Sequence, residues 1–127
     1  SKGVRGFEEW MQRLGVDILC LQEVKMKKSE VETDPMGCCA KMADFDTFWA
    51  FNDGTGKQRL GLNGVTTMVR KGMTLAADSR PLQDDELDGE GRCIMTDHGS
   101  FVVFNVYVPN GSGGKRLPYK SRWLWAL

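Results

Sequence analysis

Asp17-Ile-Leu-Cys-Leu-Gln-Glu-Val-Lys25 is the stretch on which the reading of this chain turns. Its four consecutive apolar residues, Ile18, Leu19, Cys20 and Leu21, predict a β-strand buried on both faces, because a half-exposed strand alternates apolar with polar positions. Gln22, Glu23 and Lys25 then emerge at the carboxyl end of that strand, beside a core. A carboxylate at such a boundary is a hard oxygen ligand suited to Mg2+, which takes one or two carboxylates and keeps several waters. The bland alternative is a surface Glu/Lys pair that contributes almost nothing.

Composition narrows the setting. A chain of 127 residues makes one domain with a real core, able to bury roughly two thirds of the surface it exposes unfolded. Lys plus Arg and Asp plus Glu number 17 each, so no global field draws the chain to nucleic acid or to a membrane, and any polyanion site is local. Cysteines stand at 20, 38, 39 and 93 without a Cys-x-x-Cys pair, beside a single histidine, a pattern of neither a zinc site nor a disulfide framework. Cys20 and Cys93 lie in apolar runs and read as small buried hydrophobes, which suits a reducing compartment. No apolar run reaches transmembrane length and no signal-peptide pattern opens the chain, so the expected setting is intracellular, with no membrane partner.

Outward from the opening stretch, periodicity supplies the elements. Phe7, Trp10, Met11 and Leu14 share a helical face, and Gly15 stands where a helix commonly ends in a left-handed turn. Residues 26–34 are charged and stop at Pro35 and Gly37; residues 38–43 predict a short helix. Residues 46–51 read as a strand, and residues 52–63 as an exposed, mobile polar loop. Residues 64–70 place Val65, Thr67 and Val69 on one face of a strand, with Thr66 and Met68 on the other. Residues 73–91 are irregular and acidic; Asp84, Asp85, Glu86, Asp88 and Glu90 read as a solvated charge run rather than a metal cluster.

Residues 92–97 and 101–108 form two apolar runs joined at His98-Gly99, whose glycine permits a tight hairpin, and His98 reads as a turn residue rather than a base. The second run ends in Asn105-Val-Tyr-Val-Pro-Asn110, which again places polar groups where an apolar strand leaves its sheet. Pro109 lacks the amide donor a ladder needs, so Tyr107 and Asn110 present a phenol and an amide at the edge. Residues 110–115 lack the spacing of a phosphate loop and read as a flexible connection; residues 119–127 begin a helix.

Four segments in order, Gly3-Val-Arg5, Leu21-Gln-Glu-Val-Lys25, Gly64-Val-Thr-Thr-Met-Val-Arg70 and Asn105-Val-Tyr-Val-Pro-Asn110, resemble the exonuclease/endonuclease/phosphatase superfamily. Asp88-Gly-Glu-Gly-Arg92 and Arg116-Leu-Pro-Tyr-Lys-Ser-Arg122 look most like its second eukaryotic type of apurinic/apyrimidinic endonuclease. The resemblance implies an α/β fold, a four-layer α/β/β/α sandwich of the DNase-I-like type, of which residues 1–127 cover the N-terminal half of one domain. It implies Glu23 as the metal ligand, Tyr107 and Asn110 as catalytic groups on the scissile phosphate, and Arg5 and Lys25 as substrate-binding cations. The cofactor implied is Mg2+, with Mn2+ as a substitute. The implied partner is double-stranded DNA with abasic sites or blocked 3' ends, and the implied location the nucleus. Phosphodiester hydrolysis accounts for these residue types: a cation neutralises phosphate oxygens, donors face the developing charge, and a further group activates water.

Departures from the family pattern carry equal information. The strand bearing an Asn-x-Asn/Asp-Gly motif before Gly3 is absent, with Lys2 at that motif's second polar position, and neither the Gly-Asp-x-Asn segment nor the Asp-His pair of the second half occurs. The chain therefore reads as the N-terminal part of a catalytic domain without its general base, inactive alone. A half-sandwich of this kind is expected to expose apolar sheet from residues 64–70 and 101–108. Two rival readings remain at this level: another superfamily nuclease, such as one acting on messenger-RNA tails, and a non-catalytic DNA-binding or scaffold remnant.

Overall fold

In the computed structural model, which describes residues 2–34, 39–56 and 58–127 with residues 2–5 by backbone only, alternation at residues 65–70 produces the central strand of a sheet. Helix α1 (Lys2–Arg13) leads through Gly15, at φ +65°, into β1 (Ile18–Gln22). Strand β1 and β2 (Phe45–Ala50) flank β3 (Val65–Arg70), both antiparallel to it, with Ile18 opposite Val69 and Ala50 opposite Val65. A second antiparallel sheet has the order β4 (Ala76–Asp78), β5 (Cys93–Asp97), β6 (Val102–Val106), and Gly99 at φ +89° closes the β5–β6 hairpin. Between β1 and β2 lies α2 (Lys28–Thr33), and α3 (Asp85–Asp88) precedes β5. Pro118 opens α4 (Leu117–Ala126), where a missing amide donor is harmless.

Three apolar layers hold these elements together. Met11, Met42, Phe45 and Met68, with Phe7 and Leu19, fill the space between α1 and the first sheet. Ala50, Val65 and Ile94, with Phe48 and Tyr107, lie between the two sheets. Leu82, Leu87, Cys93 and Trp123, with Val106 and Tyr119, fill the space between the second sheet and its helices α3 and α4. The order is helix, sheet, sheet, helix, as expected.

Several local expectations give way to tertiary context. Strand β1 is only partly buried along its apolar run, because it is an edge strand paired with β3 alone. Trp10 and Leu14 remain largely exposed although Phe7 and Met11 turn inward, since the contact stripe of α1 is narrower than its apolar face. Cys38 lies outside the described residues, and residues 39–43 form no helix. The Asp34 carboxylate instead accepts the amides of Cys39 (3.1 Å), Ala40 (2.8 Å) and Lys41 (2.8 Å), a local arrangement that competes with helix bonds. The loop at 52–63 contains two buried residues, Asn52 and Asn63. Residues 110–115 contain a short 3-10 turn (Ser112–Gly114), whose start is held by the Asn110 carbonyl on Ser112 N (2.7 Å).

The acidic run is solvated only in part: Asp85 and Glu86 are exposed, and the others are not. Asp84 caps α3 through the amides of Glu86 and Leu87, Asp88 is buried, and Glu90 is fully enclosed. Strand β3 is covered on both faces rather than exposed, Met68 packing against Met11 of α1 and Val65 against Ile94 of the second sheet. In residues 101–108, Phe101, Val102, Phe104 and Val108 are exposed, Val102 and Phe104 on the edge strand β6.

Trp123 is 0% exposed and Trp125 is 90% exposed, two residues apart on one helix. Urea unfolding is expected to show a loss of about 3–5 kcal/mol for Trp123→Ala and a change within about 0.5 kcal/mol for Trp125→Ala. The exposed edge of β6 predicts self-association of the 127-residue chain, which Phe104→Lys suppresses; size-exclusion chromatography with light scattering reads both.

Candidate active site

Just past β1 the chain enters a strained turn. Glu23 and Lys25 both lie at φ +53°, a left-handed conformation that costs a non-glycine residue of order 1 kcal/mol. Backbone bonds hold it there: Val24 N donates to Gly64 O (3.1 Å) and Lys25 N to Asn63 O (2.9 Å). Gly64 is obligatory in this packing, at φ +88° and with a Cβ that would stand 2.9 Å from Val24 Cγ2. Val24 is thus pinned against residue 64 while Glu23 and Lys25 face a cleft.

The facing wall comes from the second sheet. Tyr107 N donates to Arg92 O (2.7 Å), extending the ladder one step beyond β6 before Pro109 ends it. Asn110 uses its carbonyl oxygen on Ser112 N and Ser112 Oγ, so its NH2 group is what it can offer a ligand. The two walls are tied across the sandwich: Gln22 Nε2 donates to Asn105 Oδ1 (2.6 Å), and Asn105 Nδ2 donates to Thr66 O (2.8 Å).

Glu23, Lys25, Tyr107 and Asn110, all expected from sequence as site residues, line one cleft of ≈ 270 Å³. Arg5 lies within α1, and its side chain falls outside the described residues. Six lining residues were not anticipated: Gln58, Leu62, Asn63, Arg92, Ser112 and Arg116. Both arginines belong to the quoted motifs, but nothing local to either says that it turns toward a site. Burial first, and then the nearby Glu23 carboxylate, push the Tyr107 phenol above its ordinary value against the opposing effect of Arg92. Tyr107 therefore stays protonated at neutral pH and can donate. His98 lies in the β5–β6 hairpin, bonded to Thr96 Oγ1 (2.9 Å) and stacked on Phe101, as a turn residue would be.

Behind the cleft wall, Glu90 sits between two guanidinium groups. Its Oε1 accepts from Arg92 Nε (3.0 Å) and its Oε2 from Arg116 Nη2 (2.5 Å). Burial opposes ionisation of this carboxyl, but hydrogen bonds from Arg116 and then Arg92 outweigh it and hold the pKa below the ordinary glutamate value. Among the described residues no three His, Cys, Asp or Glu side chains converge as a metal cluster, and Glu23 is the one acid lining the cleft. Among them, too, no helix is long and apolar enough to cross a membrane.

A site at the strand ends of two stacked antiparallel sheets, between helical layers, defines a class, and the comparisons agree. This chain belongs to the Endonuclease/Exonuclease/phosphatase family, whose model matches residues 2–127, and its fold is of the DNase-I-like type. It is 26% identical to a DNA-(apurinic or apyrimidinic site) endonuclease 2 of Schizosaccharomyces pombe, over 95% of this chain and 28% of that protein. It is 29% identical to the DNA repair nuclease APEX1 of Danio rerio, over 91% of this chain and 34% of that one. An exodeoxyribonuclease of Bacillus subtilis is 27% identical over 95% of this chain and 43% of its own length. A 3' phosphatase from Neisseria, solved bound to product DNA hairpin, superposes with a TM-score of 0.57 at 23% identity, over 99% of this chain and 46% of that chain. The chain spans less than half the length of each of these proteins.

Because the Glu90 pKa is depressed, the unfolded chain binds more protons than the native one in acid. Stability from this group is complete above the ordinary glutamate pKa and is lost as pH falls through the depressed one. Urea unfolding between pH 3 and pH 7 is expected to show that loss, at up to about 1.4 kcal/mol per pH unit for one proton. Glu90→Gln, less stable at neutral pH, should flatten the acid limb.

Proposed function

We propose that a protein carrying this segment is a metal-dependent DNA repair phosphodiesterase that cleaves DNA 5' to abasic sites and trims blocked 3' ends. The observation that supports this most is the convergence of Glu23 and Lys25, from the end of β1, with Tyr107 and Asn110, from the end of β6, in one cleft that also holds Arg92 and Arg116. One carboxylate, a phenol, amides and cations make a polar site suited to a phosphate diester. The relatives are named as DNA repair nucleases, abasic-site endonucleases and an exodeoxyribonuclease, which favours DNA as the substrate and, for a eukaryotic source, the nucleus as the place of action.

Each side chain then has a task. The Tyr107 phenol, kept protonated by burial and by Glu23, donates to a phosphate oxygen as charge develops there. The Asn110 NH2 group donates to the same phosphate. Lys25 neutralises phosphate or holds Glu23 in place, and Arg5 meets the DNA backbone near the lesion. Glu23 would hold the Mg2+, or Mn2+ in its place. The donor set fits: a single hard carboxylate in a polar cleft leaves the remaining positions to waters and phosphate oxygens, the habit of Mg2+. Bound there, the cation supplies Lewis-acid neutralisation of the phosphate oxygens. Among the described residues no histidine lines the cleft, and water activation is assigned to groups outside it.

Incision of a duplex with one abasic site by the full-length protein tests this reading. Glu23→Gln, Tyr107→Phe and Asn110→Ala are each expected to lower kcat by about 10²–10³ with Mg2+ present. The 127-residue chain alone should stay at buffer background. Metal-dependent incision by that chain, abolished by Glu23→Gln, would refute the placing of water activation outside it. Activity of the full-length protein on polyadenylated RNA but not on abasic DNA would favour the tail-nuclease reading, and inactivity on both the non-catalytic one.

A further inference from the structure

Glu90 is an ionised carboxylate with 0% exposure, and the chemistry proposed above does not use it. Its surroundings leave it little freedom: a Cβ on Gly56 would stand 2.9 Å from Glu90 Cγ, and the Glu90 carbonyl is held by Asn63 Nδ2 (3.1 Å). Arg116 grips it in a fork, Nη1 on Oε1 (3.2 Å) and Nη2 on Oε2, while Arg92 Nε reaches Oε1 from the other side. Each guanidinium also has an aromatic rest. Arg92 lies 5.0 Å from the Tyr107 ring centre and donates Nη1 to Tyr107 O (3.3 Å), and Arg116 lies 4.1 Å from that of Tyr119.

Buried ion clusters of this kind contribute weakly to stability, because desolvation offsets attraction; what they fix well is orientation. Two cations against one anion leave one net positive charge. Both arginines line the cleft of Glu23, Tyr107 and Asn110, and Arg116 also lines the adjoining groove of ≈ 520 Å³ with Lys115 and with Arg122, which is paired there with Glu86. Unsupported, two neighbouring guanidinium groups would repel and splay. Held on a common carboxylate, they are fixed in place with 7% and 15% of their side chains exposed, and a ligand that meets their remaining N–H groups need not order them first.

We infer that Glu90 is a positioning residue, which fixes Arg92 and Arg116 as a paired anion subsite for a nucleic-acid phosphate. This rests on the reading of the cleft as a DNA site, and the test keeps the two apart. Binding of the 127-residue chain to a duplex with a tetrahydrofuran abasic analogue is followed by fluorescence anisotropy over a series of salt concentrations. The side-chain Nε–H resonances of Arg92 and Arg116 are followed by NMR. Were Glu90 only a charge, Glu90→Gln would remove a negative group near a polyanion and tighten binding. Positioning requires the opposite: roughly tenfold weaker binding, a salt dependence shallower by about one unit of slope for each phosphate the arginines no longer hold, and broadened arginine signals. Arg116→Lys keeps the charge, removes the fork and should weaken binding in the same direction, which decides the matter if Glu90→Gln does not fold.

Equal or tighter binding by folded Glu90→Gln, or wild-type binding by Arg116→Lys, overturns the inference. Ordered arginine signals lost in Glu90→Gln, in a wild-type chain that ignores the duplex, would instead overturn the DNA reading and with it the phosphate role, leaving Glu90 a structural ion partner.

Discussion

Asn105 spans the interior of the sandwich with a single carboxamide. Its NH2 group donates to the Thr66 carbonyl of the opposite sheet, its oxygen accepts from Gln22, and the residue is buried. Apolar layers are non-directional and tolerate sliding, whereas a buried amide left unpaired costs about 1–3 kcal/mol. Only one relative placement of the sheets satisfies both ends of this side chain. That placement sets the end of β1 beside the end of β6, and the next residue after Gln22 is Glu23, two after Asn105 is Tyr107. The core thus decides that the sheets stack; the amide decides where they stop.

With that register fixed, the two informative glutamates separate by environment. Glu23 stands at the cleft, near a phenol whose pKa burial raises, and is available to a ligand. Glu90 is enclosed and spent on Arg92 and Arg116, an internal counter-ion rather than a ligand. Enclosure does not remove the charge of Glu90, which offsets one of the two guanidinium charges it holds. In a chain with 17 acidic and 17 basic residues, Lys25, Arg92 and Arg116 line the cleft against Glu23, and with Glu90 counted behind them one net positive charge is left.

What the sequence made legible is what neighbouring residues determine. The strand ends at Glu23 and Tyr107, the alternation at residues 65–70, the Gly99 hairpin and the helix stop at Gly15 depend on local spacing, and each stands as read. Those segments also carry the family's motifs, so Glu23, Lys25, Tyr107 and Asn110 could be named together, and the fold places them together. What failed depends on distant partners. Glu90 reads as part of a solvated run until Arg116, 26 residues beyond it, folds back onto it, while Asp85 and Glu86 are exposed as read. Residues 39–43 carry a helical composition that the Asp34 carboxylate overrides by taking three successive amides. Strand β1 reads as doubly buried because its sequence is silent on whether it lies at the centre or the edge of its sheet.

The floor of the cleft follows from the same economy of backbone groups. Glu23, Lys25, Asn63, Gly64 and Gly91 lie at positive φ, and their segments lie against one another as a stack of loop backbones. Lys25 N bonds Asn63 O, Val24 N bonds Gly64 O, Gly64 N bonds Gly91 O, and Asn63 Nδ2 bonds Glu90 O. Gly91 admits no side chain, since a Cβ there would lie 2.4 Å from the backbone at Phe51 and Asn52. Strain at Glu23, Lys25 and Asn63 persists because each turn satisfies its neighbour's donors, and relaxing one would orphan polar groups in the next. The carboxylate at one end of the stack and the guanidinium pair at the other are thus spaced by main chain, which is stiffer than any side-chain contact between them.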